Sequence, residues 1–262
     1  MKNNNYYEEY KDIVIDRKSD ISNSNMTTID ITSVVKPNTH YKITSESLQE
    51  VNIKPSELKK IKNDKKIKIF HIDEIIHVKI KNNWNCDSNI KTSQSNILGD
   101  SGTLRIDSDD LKNNIELTIP IADISHLNFY NCELYKHNEI VSFDIDCNLP
   151  VSVVEIGHNY IDHYIMKKAG GVYLEFHNRP HYHMPLNKKA GGHLVIGKYH
   201  RDGILLSAFN IPYGYAIKMP NNVIHNDCFL TGDYLVIYSK TEEYSTVLLK
   251  NNKNKEVTVK IV

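Results

Sequence analysis

The chain has 262 residues, 40% of them hydrophobic, enough to bury one large core or two small ones, and no uninterrupted apolar run approaches the length that crosses a bilayer. Lys plus Arg and Asp plus Glu stand at 32 each, so no net-charge field draws the protein to nucleic acid or to an acidic membrane surface, and neither is expected as a partner. Cys86, Cys132, Cys147 and Cys228 form no Cys-x2-Cys pair and the first ten residues lack the apolar core of a signal peptide, which predicts buried free thiols and a reducing, cytoplasmic setting.

Residues 1 to about 40 are dominated by Asn, Ser, Asp, Lys and Thr, too polar to offset the entropy of ordering, and read as a loose arm. Helix-start chemistry follows at Thr44-Ser-Glu-Ser-Leu-Gln-Glu and at Pro55-Ser-Glu-Leu-Lys-Lys-Ile, predicting two short helices that complete an N-terminal segment over 1–64. From Lys66 the pattern changes to brief β-branched runs between polar turns. They begin with Ile67-Lys-Ile-Phe-His-Ile and Ile75-Ile-His-Val-Lys-Ile and continue to Val257-Thr-Val-Lys-Ile-Val. Short strands at near-regular spacing predict an all-β antiparallel sandwich or barrel. Residues 65–150 supply strands that either extend its sheets or make a degenerate second barrel, and 151–262 suffice for one barrel.

Within that last segment, His181-Tyr182-His183 places two imidazoles at i and i+2, on one face of a strand. Some forty residues on, Pro220-Asn-Asn-Val-Ile-His225 is a tight turn that delivers a third from another strand. Three neutral imidazoles on rigid strands suit one divalent transition metal, with iron, zinc, manganese, nickel and copper all compatible.

The spacing of Gly214, Pro220 and His225 resembles the second motif of the cupin superfamily, with Asn222 where that motif has its second Gly and Phe229 where it has Asn. His181 and His183 are similar to the first motif, whose Glu is replaced by the Asn187-Lys188 region. Asn is the commonest non-Gly occupant of a left-handed turn position, so the exchange at 222 is physically mild. The resemblance implies a cupin-like jelly roll, a metal held by His181, His183 and His225, and pairing into a homodimer. For a further ligand the order of candidates is His193, then none, then Glu175 or His177, whose parity with His181 is interrupted by Pro180.

Arg179 could clamp an anionic group of a bound molecule, and Tyr173 and Tyr215 could line the barrel mouth. The expected function is a metal-dependent reaction on a small molecule, of oxygenase or sugar-isomerase type. The alternatives are a cupin that binds a ligand without turnover, and a sandwich whose N-terminal arm captures a partner.

Overall fold

The protein is described from a computed structural model over residues 27–64, 68–81, 84, 102–167, 170–201, 203–238, 241 and 243–262. Two seven-stranded sheets dominate. The first runs in the order β1 (Thr27–Val35), β9 (Leu149–Ile156), β17 (Leu230–Ile237), β11 (His181–Pro185), β15 (Tyr215–Met219) and β7 (Glu133–Lys136), with the two-residue β12 (Gly191–Gly192) also on β17. The second runs β4 (Val78–Ile80), β14 (Gly203–Phe209), β13 (Leu194–His200), β16 (Ile224–Asn226), β10 (Tyr173–His177), β18 (Tyr244–Asn251) and β5 (Thr103–Ile106). Smaller sheets join β2 (His40–Ile43) to β3 (Leu48–Val51) and β8 (Ile140–Ser142), and β6 (Glu116–Ile119) to β19 (Thr258–Ile261). This is the all-β architecture that the strand pattern predicts, in the jelly-roll-like form that the resemblance implies.

Period-2 alternation sorts the side chains into three apolar layers. Leu194, Ile196, Phe209, Ile217, Met219, Tyr234 and Val236 fill the space between the two sheets. Their neighbours in sequence face outward: Tyr182, Met184, Ala216, Leu235 and Ile237 pack under the β2–β3–β8 sheet, and Val195, Leu206 and Ala208 pack with Leu117 and Ile119 of β6. The accessory strands therefore cover outer faces that would otherwise leave apolar side chains in water. Every residue of β14 is buried for this reason.

Several expectations are corrected. The arm expected over 1 to about 40 lies outside the described residues up to residue 26, but Thr27–Val35 is strand, hydrogen-bonded along β9. Thr44–Glu50 is not a helix: Thr44 Oγ1 accepts the Ser47 N–H at 2.9 Å, a local turn that reverses the chain between β2 and β3. The same chemistry that caps helices here closes a hairpin. Pro55 does open a helix, α1 (Pro55–Asp64). The strand expected over 67–72 does not form among its described residues, and Ile72–Glu74 is a 3-10 turn. Of the strands of 65–150, β4, β5 and β7 extend the two large sheets by pairing with β14, β18 and β15, while β6 and β8 belong to the smaller ones. No helix among the described residues is long and apolar enough to cross a membrane.

Candidate metal centre

Alternation also places the imidazoles. Because Tyr182 and Met184 of β11 pack outward, His181 and His183 project between the sheets. On β10, Leu174 and Phe176 pack into the other outer layer, which turns Glu175 and His177 inward. β16 adds His225, cross-strand to Glu175 on one side and to Ile196 on the other. The site thus draws on both sheets, and the ring of Tyr238 lies beside it, 5.2 Å from that of His181.

The turn that launches β16 forms as its residues dictate. Asn222 adopts a left-handed φ of 63°, and its N–H donates to the carbonyl of His177 at 2.8 Å. The two elements that carry His177 and His225 are thereby fastened together.

His177, His181 and His225 each offer a ligand nitrogen within 4.8 Å of the other two. Their ring centroids are separated by 4.3 Å (His177–His181), 4.6 Å (His181–His225) and 5.1 Å (His177–His225). None of the three is more than 5% exposed. A cation holds imidazole nitrogens at about 2.0–2.1 Å, so ring adjustments on the order of 1 Å would close the triangle.

Hydrogen bonds fix what each ring can do. Nδ1 of His225 stands 2.9 Å from the Val223 carbonyl, which can only accept, so Nδ1 carries the proton and the neutral ring keeps its lone pair on Nε2. That Nε2 lacks a hydrogen-bond partner among the described residues, the nearest carboxylate oxygen being Oε1 of Glu175 at 3.5 Å. His177 Nδ1 stands 3.3 Å from the Arg179 N–H, a contact that leaves the ring proton on the buried Nε2, which likewise has no hydrogen-bond partner there; to offer Nε2 to a cation the ring must carry its proton on Nδ1 and give up that long contact. Buried polar atoms are nearly always satisfied, and a shared cation would satisfy these. The residues fit a metal.

The electrostatics agree. Burial, reinforced by the neighbouring His225, pushes the pKa of His177 down to about 3, which keeps the ring neutral, as a metal ligand must be. Burial also opposes charge on His225, but Glu175, the Val223 carbonyl and Asp227 together hold its pKa above the ordinary histidine value. A proton thus occupies His225 more readily than usual, in competition with a cation.

Beside this group lies a second polar unit. Asp227 accepts from Tyr173 Oη at 3.0 Å on Oδ1, and on Oδ2 from Tyr238 Oη at 2.6 Å and His183 Nε2 at 3.4 Å. Burial alone would raise its pKa; His183, Tyr238 and His225 instead hold the carboxyl well below the usual carboxylate range.

Of the four histidines expected as ligands, the structure brings His181 and His225 together. His183 shares their face but directs Nε2 to Asp227 and stands outside the three-histidine group. His193, half-buried just ahead of β13, is not in the group either; its backbone N–H donates to the Phe229 carbonyl. His177, ranked last from sequence, takes a place in the group. The chain passes from the second sheet to the first at Asn178–Pro180, so His177 faces His181 across the sandwich, and strand parity through Pro180 has no bearing. Arg179 pairs with Asp146 and Tyr173 with Asp227, while Tyr215 lies beneath Lys136 Nζ at 5.6 Å. Asp227, two residues beyond His225, is a member of the site that the sequence does not announce; nothing in its spacing distinguishes it from a surface aspartate.

No model of a known protein family matches the chain, and a comparison with curated proteins finds no significant match.

Proposed function

We propose that the protein is a metal-dependent, cupin-like protein acting on a small molecule, with one divalent transition ion held by His177, His181 and His225. The observation that carries the reading is the convergence of three buried imidazoles from both sheets, each offering a ligand nitrogen within 4.8 Å of the others. It is supported by the left-handed Asn222 turn, which matches the resemblance noted around Gly214, Pro220 and His225. When bound, iron(II) would supply oxygen chemistry, and zinc or manganese would polarise a carbonyl. The chain's own residues supply the rest: two sheets hold the rings, and the apolar layer around Ile217, Met219 and Val236 limits the water around them.

The depth of burial favours a second reading, a metal that stabilises the fold or holds a ligand without turnover. The two readings part on exchange: a centre that works on small molecules releases its ion to a chelator or binds small ligands without unfolding, whereas a purely structural one does so only on denaturation.

Elemental analysis of the purified chain beside His177→Ala, His181→Ala and His225→Ala tests the ligand set. One equivalent of metal in the wild type and less than a tenth in each folded variant is expected. Metal that survives all three substitutions would remove the proposal.

A further inference from the structure

We infer that His183, outside the ligand set, is the residue that grips the molecule bound at this centre, accepting at Nδ1 a hydrogen bond from an O–H or N–H of a small neutral ligand. The inference rests on the metal-centre reading above.

A carboxylate only accepts, so the contact between His183 Nε2 and Asp227 Oδ2 puts the ring proton on Nε2 and leaves the lone pair on Nδ1. The hydroxyls of Tyr173 and Tyr238 fix Asp227 from two further directions, which makes Asp227 a positioning residue that imposes this tautomer. The side chain of His183 is fully buried, yet Nδ1 has no hydrogen-bond partner among the described residues. A buried acceptor in that condition calls for a donor.

Its location says where the donor comes from. The ring of His183 shares the inner face with that of His181, 5.8 Å away between centroids, and Tyr238 lies 5.2 Å from the one ring and 5.8 Å from the other. A ring held in one tautomer, with its acceptor unmet, therefore stands next to the three-imidazole group without belonging to it. The charge in the site sets the ligand class. The buried Glu175 and the largely enclosed Asp227, whose side chain is 14% exposed, are two carboxylates beside the rings, so a dication there would already be compensated. A neutral ligand leaves that balance intact, while an anion would add an unpaired buried charge.

The test compares imidazole with 1-methylimidazole, two neutral metal ligands of which only the first keeps an N–H once coordinated. Binding to the cobalt(II)-loaded full chain is followed by the visible spectrum. Wild type is expected to prefer imidazole at least tenfold. His183→Leu should keep one cobalt per chain and lose the preference to below twofold. His183→Gln, whose amide can donate to Asp227 and present a carbonyl to the ligand, should recover part of it. Wild-type protein without a preference, or a preference that survives in His183→Leu, overturns the inference and leaves the metal centre standing. Loss of cobalt from folded His183→Leu also overturns it, because His183 is then a ligand. Should the Leu variant not fold, His183→Gln decides: cobalt loss, or a preference below twofold, overturns the inference. Wild type that takes up no cobalt overturns the metal-centre reading and the inference with it.

Discussion

Glu175 and His225 face one another across the β10–β16 pair, with Oε1 3.5 Å from Nε2 in an interior that leaves neither more than 5% exposed. At that distance the contact is longer than a charge-assisted hydrogen bond, and Glu175 acts on His225 mainly through its field. Its oxygens are not part of the three-histidine group.

Glu175→Gln should therefore keep the ligands and weaken the centre. Removing a buried carboxylate next to a ligand is expected to lower metal affinity by about 10- to 100-fold. In the metal-free protein, the His225 pKa should fall, because the attraction that raises it is gone. Competition with a chromophoric chelator measures the first effect and imidazole NMR the second. Unchanged affinity would separate Glu175 from the site.

The pH dependence of the metal-free fold follows from His177. Its pKa is about 3 in the native protein, against an ordinary value of 6.5. Between those values the unfolded chain binds a proton that the native chain does not, so stability contributed by the neutral ring is intact above 6.5 and is lost as pH falls toward 3. The slope is about 1.4 kcal/mol per pH unit for one proton. His225, whose pKa is raised, contributes in the opposite sense, with stability present below 6.5 and lost as pH rises through its native value. Urea denaturation of wild type and His177→Leu between pH 4 and 6.5 isolates the first contribution. The variant should show a shallower fall by about that slope; parallel curves would mean that His177 is protonated in the native state.

The Asn222 turn gives a prediction that the sequence already contained. With φ at 63°, Asn222→Ala should cost about 1–2 kcal/mol, and Asn222→Gly should be tolerated, by thermal or urea denaturation. Equal losses in the two variants would assign the cost to the lost side chain and not to the backbone.

That turn, the i and i+2 spacing of His181 and His183, and the strand alternation were legible because each depends on residues close in sequence. What failed depends on partners far away. Thr44 and Glu46 carry helix-start chemistry, but pairing of β2 with β8, about a hundred residues on, draws the segment into a sheet. His177 joins His181 only because the chain changes sheets between them, and Asp227 becomes a polar anchor only because Tyr173, His183 and Tyr238 come from three different strands or their ends. Local pattern fixes which face a side chain takes; which opposing face it meets is a property of the assembled sheets.

Gly197 connects packing to the site. It sits on β13 opposite Leu206 and Ile224, and a Cβ there would lie 2.7 Å from Leu206 Cδ2 and 2.9 Å from Ile224 Cγ2. Both contacts are shorter than carbon atoms tolerate, so Gly197→Ala must push its neighbours apart at a cost of about 1–3 kcal/mol. Ile224 immediately precedes His225 on β16, and displacement of that strand moves a ligand as well as a core residue. Gly197→Ala should therefore lose stability and metal affinity together, and Leu206→Val, which removes the atom in closest conflict, should restore part of both. A double-mutant cycle reads the coupling in urea denaturation and in metal competition. Stability that falls while affinity holds would show that His225 is positioned by its own turn and by Glu175, independently of how β13 packs against β16.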